Sequence, residues 1–487
     1  MSIAAESCAT VTATPLKRLG VVLLTSAVLQ VGLASVPDQM GDLLVYRQWL
    51  RSLTSEGLST SYWPPASTDP LARPAIDYPP MFPYLLWGLG HTIGAVAPAA
   101  LQSDRTLDLL VRLIPVAFNL ALTLLLYAAH AHDGAALACA SFYAFNPAVL
   151  FDSAYWGQTD GVCAFLTVAT LVLFGRGWPG RAWLTLTIAA LVKPLAWPLV
   201  PLLVAFTLRR YGTRRLVSCL ALSAAVAFGL LLPFVLAGRL REILNALLLQ
   251  VDAMPYVSVN AHNLWWILGR GLPWTRVDAP LIGPLTGGAL GLALLCVFYA
   301  ATLTAALCSS HPRALERAAA SVSLGFFMLA TRMHENHGLL FLPLFLLAFG
   351  GERRFRAFFV AATALFTANM ALHDPMLCHL ARDLAPGPRV LLPQRPDVDP
   401  NLLESLARHG YPYASEEIRG EASVLWAGLT LLNSQAGLLL FASWLIALHG
   451  GERPWGAGRG TRLAALAGFL LVTGSPFMLR VLQAPSP

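Results

Sequence analysis

The stretch Lys17-Arg18, then Leu19-Gly-Val-Val-Leu-Leu-Thr-Ser-Ala-Val-Leu-Gln-Val-Gly-Leu-Ala-Ser-Val36, then Gly41-Asp42-Leu-Leu-Val-Tyr46-Arg47-Gln48-Trp49, decides what kind of fold this chain has. Its first part is an apolar run of membrane-crossing length behind two cations, which reads as a span with Lys17 and Arg18 on the cytoplasmic side. It lacks a clear small-residue cleavage site, so it is expected to be a span and not a removable signal peptide. The second part sets an acid, Asp42, just past that span. From there Leu43, Tyr46, Trp49, Leu50 and Leu53 recur at helical spacing, while Arg47, Gln48, Arg51 and Ser52 face away, which is the pattern of a helix lying in the membrane interface. Asp77-Tyr78-Pro79-Pro80 follows in the same polar loop.

Working outward, the composition agrees. Of 487 residues, 56% are hydrophobic and 12% charged, against about 25% charged in soluble domains. The net charge of +7 is not one basic block that would suit nucleic acid. It sits in short connectors such as Arg209-Arg210-Tyr-Gly-Thr-Arg214-Arg215 and Arg353-Arg354-Phe-Arg356, the cytoplasmic-loop signature of polytopic proteins. The seven cysteines lie mostly in apolar runs without CxxC spacing and read as small buried hydrophobes.

Apolar runs predict further spans near 107–129, 135–151, 162–175, 214–236, 282–305, 315–331, 337–350, 357–373, 423–448 and 462–480. Residues 81–97 read as an interfacial or re-entrant helix. Residues 182–208 read as a hairpin interrupted at Lys193-Pro194, because a single span would put the basic run after it outside. The expectation is an all-α polytopic membrane protein with roughly 11–13 transmembrane helices. Two modules are expected: residues 1–350, with outer loops 37–104 and 238–280, and residues 351–487, with outer loop 375–421.

Alternating sidedness assigns several polar clusters to one outer face: Asp42, Asp77-Tyr78, Asp152 to Asp160, Lys193, His262-Asn263, and Arg332-Met-His334-Glu335-Asn-His337. Such groups are costly near hydrocarbon unless they pair, reach water or bind something polar. Plainer roles stand beside functional ones. Asp42 suits an N-cap of the interfacial helix, and Asp77 a turn before Pro79-Pro80. His262 and Asn263 either bind something polar or close the outer loop. Trp63, Tyr78, Trp156, Trp265 and Trp266 offer ring faces to a ligand, though interfaces are enriched in such side chains anyway.

In this order, the motifs resemble the GT-C superfamily of membrane glycosyltransferases, and among them the dolichyl-phosphate-glucose-dependent glucosyltransferases that extend the N-glycan precursor. Gly41-Asp42 and Asp77-Tyr78-Pro79-Pro80 match a first-loop pattern. Asn146-Pro147-Ala-Val-Leu-Phe-Asp152 to Gln158 resembles a proline-led Leu-Ile-Asp-His-Gly-His-Phe-Gln segment. Lys193 matches a lysine near a broken helix, and His334-Glu335 a later His-Glu. The likeness runs from residue 15 to about 350. Tyr155-Trp156-Gly157-Gln158-Thr159-Asp160 departs from the histidine-rich version, and Lys193-Pro194 replaces Lys-Gln. Both departures are similar to prokaryotic relatives.

The resemblance implies an inverting transfer of a hexose, glucose or mannose, from a polyprenyl-phosphate carrier to a lipid-linked glycan or other envelope acceptor. Asp42 would be the general base. Asp77, Tyr78, Trp156, Gln158, Asp160, His262 and Asn263 would bind acceptor or sugar, and Lys193, Arg332 and His334 the donor phosphate. No metal cofactor is expected: Asp397-Val-Asp399 stands in an unrelated proline-rich loop. The expected partners are membrane lipid, the lipid-linked donor and a glycan acceptor, with no nucleic acid. The expected place is a prokaryotic plasma membrane with an extracytoplasmic site, or the ER lumen in a eukaryote. A mannosyl- or arabinofuranosyl-transferase on the same framework, or a secondary transporter, are the competing readings.

Overall fold

The computed structural model describes residues 2–37, 41–60, 62, 76–247, 254–384, 387–395, 404, 407–408, 410–411 and 413–449. Trp63, Asp397, Asp399 and the run 462–480 lie outside the described residues. The described chain is mostly helical, with strands only in short two-stranded pairs. It packs as two compact units. The first is Met1–Gln250 with Ala305–Ala320 and Leu339–Arg356. The second is Val251–Thr304 with Ser321–Gly338 and the chain from Ala357 on.

Five helical segments among the described residues are long and apolar enough to cross a membrane: Leu16–Ala34, Asp104–Ala129, Pro194–Leu236, Gly287–Cys308 and Val424–Ala447. A sixth arises if Arg353–Ala371 and Pro375–Leu384, bent by 83°, act together. Fewer segments pass this test than the apolar runs predict. The run 135–151 is cut by Asn146-Pro147, leaving the helix Ala136–Ala144. Those at 315–331 and 337–350 form Ala314–Leu329 and Phe341–Phe349, shorter than the ~20 residues of a full crossing. Cysteine burial is also mixed: Cys139, Cys163, Cys219 and Cys378 are buried, whereas Cys296 and Cys308 are exposed on Gly287–Cys308.

In the first unit, α1 (Ser2–Ala34) ends where Arg112 Nη1 donates to the carbonyls of Ala34 (2.7 Å) and Val36 (2.5 Å). These are oxygens that a helix C-terminus leaves without intrahelical partners. The amphipathic α2 (Asp42–Glu56) buries Leu43, Tyr46, Trp49, Leu50 and Leu53. They pack on Phe82 and Leu86 of α3 (Met81–Val96) and on Leu107 and Val111 of α4 (Asp104–Ala129). Each such side chain contributes about 1.5–3 kcal/mol on burial. One expectation fails here. Arg47 does not face away but is buried, with Nη1 2.6 Å from Asp108 Oδ2, while Arg51 pairs with Asp104. The acidic first turns of α4 lie beside α2, so both arginines are paired with carboxylates, Arg47 in a buried place and Arg51 in a partly exposed one.

After α4 come α5 (Ala136–Ala144), a one-turn start at Pro147 and a π-helical turn Leu150–Trp156. The Asn146 side chain accepts from the N–H groups of Ala148 and Val149, and proline suits the first helical position because it has no N–H to leave unpaired. Next are α6 (Asp160–Gly175), α7 (Pro179–Val192) and α8 (Leu199–Leu236), the last interrupted at Gly212, where φ is 77°. Trp183 Nε1 donates to Thr207, and Trp197 Nε1 to the Ala190 carbonyl. These pairings make α7 and the first half of α8 an antiparallel hairpin closed at Lys193–Trp197. Past Gly212 the chain turns back. Gly180 lies beside Arg215, whereas Tyr84 donates to the Leu230 carbonyl and Phe234 packs on Tyr62 near the Asp42 end. The break at Lys193-Pro194 and the reversal at the basic run are therefore both present.

The second unit carries a two-residue parallel pairing, Ser258–Val259 with Met333–His334, extended by a bridge from Asn260 to His334. A small antiparallel pair joins Arg389–Leu391 to Glu421–Ser423.

Candidate active site

Asp42 opens α2 just after Gly41, whose φ of 86° turns the chain into the helix. Gly41 is the N-cap and Asp42 the first helical residue, so its carboxylate is not the expected cap. It points instead to the π-helical turn. Trp156 Nε1 donates to Asp42 Oδ2 at 2.6 Å, and Gln158 Nε2 donates to the same oxygen at 2.8 Å. Among the described residues Oδ1 accepts no hydrogen bond. Burial raises the Asp42 pKa above the usual carboxylate value, opposed by the Trp156 bond, the charge of Lys193 and the Gln158 bond.

Gly157 makes this possible. Its φ is 88°, and a Cβ there would lie 2.9 Å from Leu43 Cδ2 and 3.1 Å from Arg112 Cγ. The bare backbone can therefore close against α2 with Trp156 and Gln158 on either side of the contact. Gly161 repeats the device one turn on, where a Cβ would meet Asn119 Oδ1 of α4 at 2.5 Å.

The hydrogen bonds continue beyond Gln158. Tyr78 O–H donates to Gln158 Oε1 at 2.9 Å, and Tyr46 O–H donates to the Tyr78 oxygen at 3.0 Å. Tyr62 O–H holds the Tyr78 backbone carbonyl at 2.6 Å. Lys193 Nζ, at the turn of the α7–α8 hairpin, lies 2.6 Å from Asp160 Oδ2 and 6.0 Å from the centre of the Tyr78 ring. Burial raises the Tyr78 pKa, against the charge of Lys193.

The first unit thus brings together Asp42, Tyr78, Trp156, Gln158, Asp160 and Lys193. It changes what several of them do. Trp156, Gln158 and Tyr78 spend the hydrogen bonds named above on Asp42 or on one another, and Lys193 is already paired with Asp160. Asp77 is exposed beside Tyr78. The Tyr46 hydroxyl was not foreseen. Its place on the apolar face of α2 hides it among core aromatics, and only the wish of a buried phenol for a partner hints at a polar role.

The remaining candidates belong to the second unit and are described there. His262 is 2% exposed. Its Nδ1 faces the Asn433 side-chain nitrogen at 2.8 Å and its Nε2 faces His373 Nε2 at 3.1 Å. Asn263 caps the helix Leu264–Leu268, accepting from the N–H groups of Trp265 and Trp266 and donating to the Phe327 carbonyl. Both ring nitrogens of His262, and the Asn263 amide through its oxygen and nitrogen, thus make hydrogen bonds inside the fold. Trp265 and Trp266 are fully buried, which removes them from sugar stacking. Arg332 and His334 are half-buried. The Arg332 N–H, at φ 63°, bonds the carbonyls of Tyr256 and Val257.

Chemically, the Asp42 arrangement is a carboxylate with one oxygen locked by two N–H donors and the other open. Such a group can take a proton from a hydroxyl placed against Oδ1, because its orientation is set in advance. Among the described residues no three His, Cys, Asp or Glu side chains are grouped to hold a metal ion. No family model matches the chain, and no curated protein matches it.

Proposed function

We propose that this protein is a GT-C-type membrane glycosyltransferase that moves a hexose from a polyprenyl-phosphate carrier to a lipid-linked glycan or other envelope acceptor, on the extracytoplasmic side of a prokaryotic plasma membrane. The reaction is a single inverting displacement. Asp42 Oδ1 takes the acceptor hydroxyl proton, the acceptor oxygen bonds the anomeric carbon, and the bond from that carbon to the phosphate oxygen breaks, its electron pair leaving with the polyprenyl phosphate.

One observation carries the reading: an acid predicted from motif order has one carboxylate oxygen clamped by Trp156 and Gln158, from a segment that resembles the family's proline-led motif but departs from its histidines, while the other oxygen accepts no hydrogen bond among the described residues. An inverting transfer needs one well-placed base and no carboxylate nucleophile. The donor-phosphate role of Arg332 and His334 rests on motif order alone. The choice of sugar depends on a few hydroxyl contacts and is left to the assay. Purified protein supplied with prenyl-phosphate glucose or mannose and a lipid-linked acceptor should form a product of inverted anomeric configuration. No transfer with any prenyl-phosphate sugar, pentofuranosyl donors included, would end the proposal.

A second reading, a secondary transporter, is favoured by the buried Lys193–Asp160 pair at a helix break, since broken helices and membrane-embedded charges also serve transport. Substrate flux into vesicles without transfer would select it.

A further inference from the structure

We infer that Tyr46 and Tyr78 are positioning residues for the Asp42 base, acting through Gln158 as a one-way chain of hydrogen-bond donors that fixes which way the glutamine amide points. This rests on Asp42 being the base of the proposed transfer. The direction of the chain follows from donor and acceptor capacities. An ionised carboxylate only accepts, so the Gln158 group facing Asp42 Oδ2 at 2.8 Å is its NH2. The Gln158 carbonyl oxygen therefore faces Tyr78, whose hydroxyl must donate at 2.9 Å. That commits the Tyr78 proton, leaving its oxygen to accept from Tyr46 at 3.0 Å. Every donor points toward the carboxylate, and aligned bonds of this kind polarise one another.

Without the Tyr78 hydroxyl nothing distinguishes the two amide orientations from behind. The amide could then turn its oxygen toward Asp42, where only a protonated carboxyl can answer it. Loss of the chain should therefore make Asp42 easier to protonate and less available as a base. The ionisable groups around it are Lys193 at the hairpin turn, Asp160 and Asp152 beside Lys193, and Asp77 next to Tyr78. Both hydroxyl deletions keep all four of these charged side chains in the sequence, and neither Tyr46 nor Tyr78 hydrogen-bonds to one of them in the bonds named above. Tyr78→Phe also keeps the ring that packs on Tyr46, Trp49 and Phe82.

The test reads Asp42 directly in the full-length protein. A hydrophobic carbodiimide labels protonated carboxyls, and peptide mass spectrometry follows labelling of Asp42 against pH. Tyr78→Phe should move the labelling midpoint up by roughly one pH unit, a tenfold change in protonation. Tyr46→Phe, one link further back, should shift it less and in the same direction. An unchanged midpoint in both variants overturns the proposal, and a shift confined to Tyr78→Phe overturns the part assigned to Tyr46. In a transfer assay the positioning role lowers kcat about tenfold and spares the acceptor KM. A raised KM with an unmoved midpoint would make Tyr78 an acceptor contact and overturn the chain. Midpoint shifts in a protein that transfers no sugar would leave the chain standing and remove the proposed reaction.

Discussion

Lys193 Nζ lies 2.6 Å from Asp160 Oδ2, with 9% and 5% of the two side chains exposed. The pair ties the turn of the α7–α8 hairpin to the first residue of α6, the element that follows Trp156 and Gln158. A charge pair this enclosed is costly to break and cheaper to replace whole. Lys193→Met is expected to destabilise the protein by about 3–5 kcal/mol, because it removes the counter-charge of a buried carboxylate, whereas Lys193→Met with Asp160→Leu recovers most of that loss. Thermal unfolding of the three proteins in one detergent measures both. A single variant as stable as the parent would show that the pair does not hold the hairpin to α6.

Asp42→Asn preserves size and leaves an oxygen for Trp156 and Gln158 to donate to, but it removes the proton acceptor. Transfer should fall by roughly 10²–10⁴-fold, with expression and binding of the lipid-linked donor largely intact. Initial rates and donor titration on the same preparation check both halves. Full activity in this variant would move the base elsewhere, with the exposed Asp77 the first place to look.

The pH dependence follows from the same carboxylate. Burial raises the Asp42 pKa above its usual value, and the base works only when ionised. Activity should therefore be full above the raised pKa and decline as pH falls through it. The midpoint should sit above the ~3.9 of a free aspartate. A pH profile of kcat/KM, taken where unfolding is ruled out by the thermal assay, reads that midpoint. A profile flat down to the free-aspartate range would contradict it.

The membership of the Asp42 cluster was legible in the chain. A carboxylate past the first span, Asp77-Tyr78 in the loop, Trp156 to Asp160 and a lysine at an apolar break each stand out where charge is expensive, and most of them do meet in the first unit. Their pairings were not legible. Lys193 advertises a need for a counter-charge, but its partner is set by how α6 and the hairpin pack. Arg47 shows the same limit: helical spacing put it on the outer face of α2, and only the approach of Asp108 explains its burial. His262 and Asn263 look as functional as Gln158 in one dimension, because a buried cap and a buried catalytic contact use the same residue types. Hydropathy likewise finds apolar runs but not where a proline cuts one short, so the span count was the weakest part of the reading.

Gly157 offers a test that separates local closure from general strain. A Cβ at φ 88° costs about 1–2 kcal/mol in backbone conformation alone. At Gly157 it would also press on Leu43 and Arg112, forcing the π-helical turn away from α2 and carrying Trp156 and Gln158 with it. Gly57 also has a positive φ, 89°, and with ψ 168° lies in a region that only glycine adopts readily, so alanine there strains the backbone at least as much, but it faces open space at the far end of α2. Both alanine variants should lose stability. Gly157→Ala alone should also lose transfer, by tenfold or more on the scale of ~1.4 kcal/mol per factor of ten in rate, at temperatures where both variants are folded. Equal activity in the two would mean that the closeness of the turn to α2 does not set the Asp42 carboxylate, and the clamp by Trp156 and Gln158 would lose its assigned role.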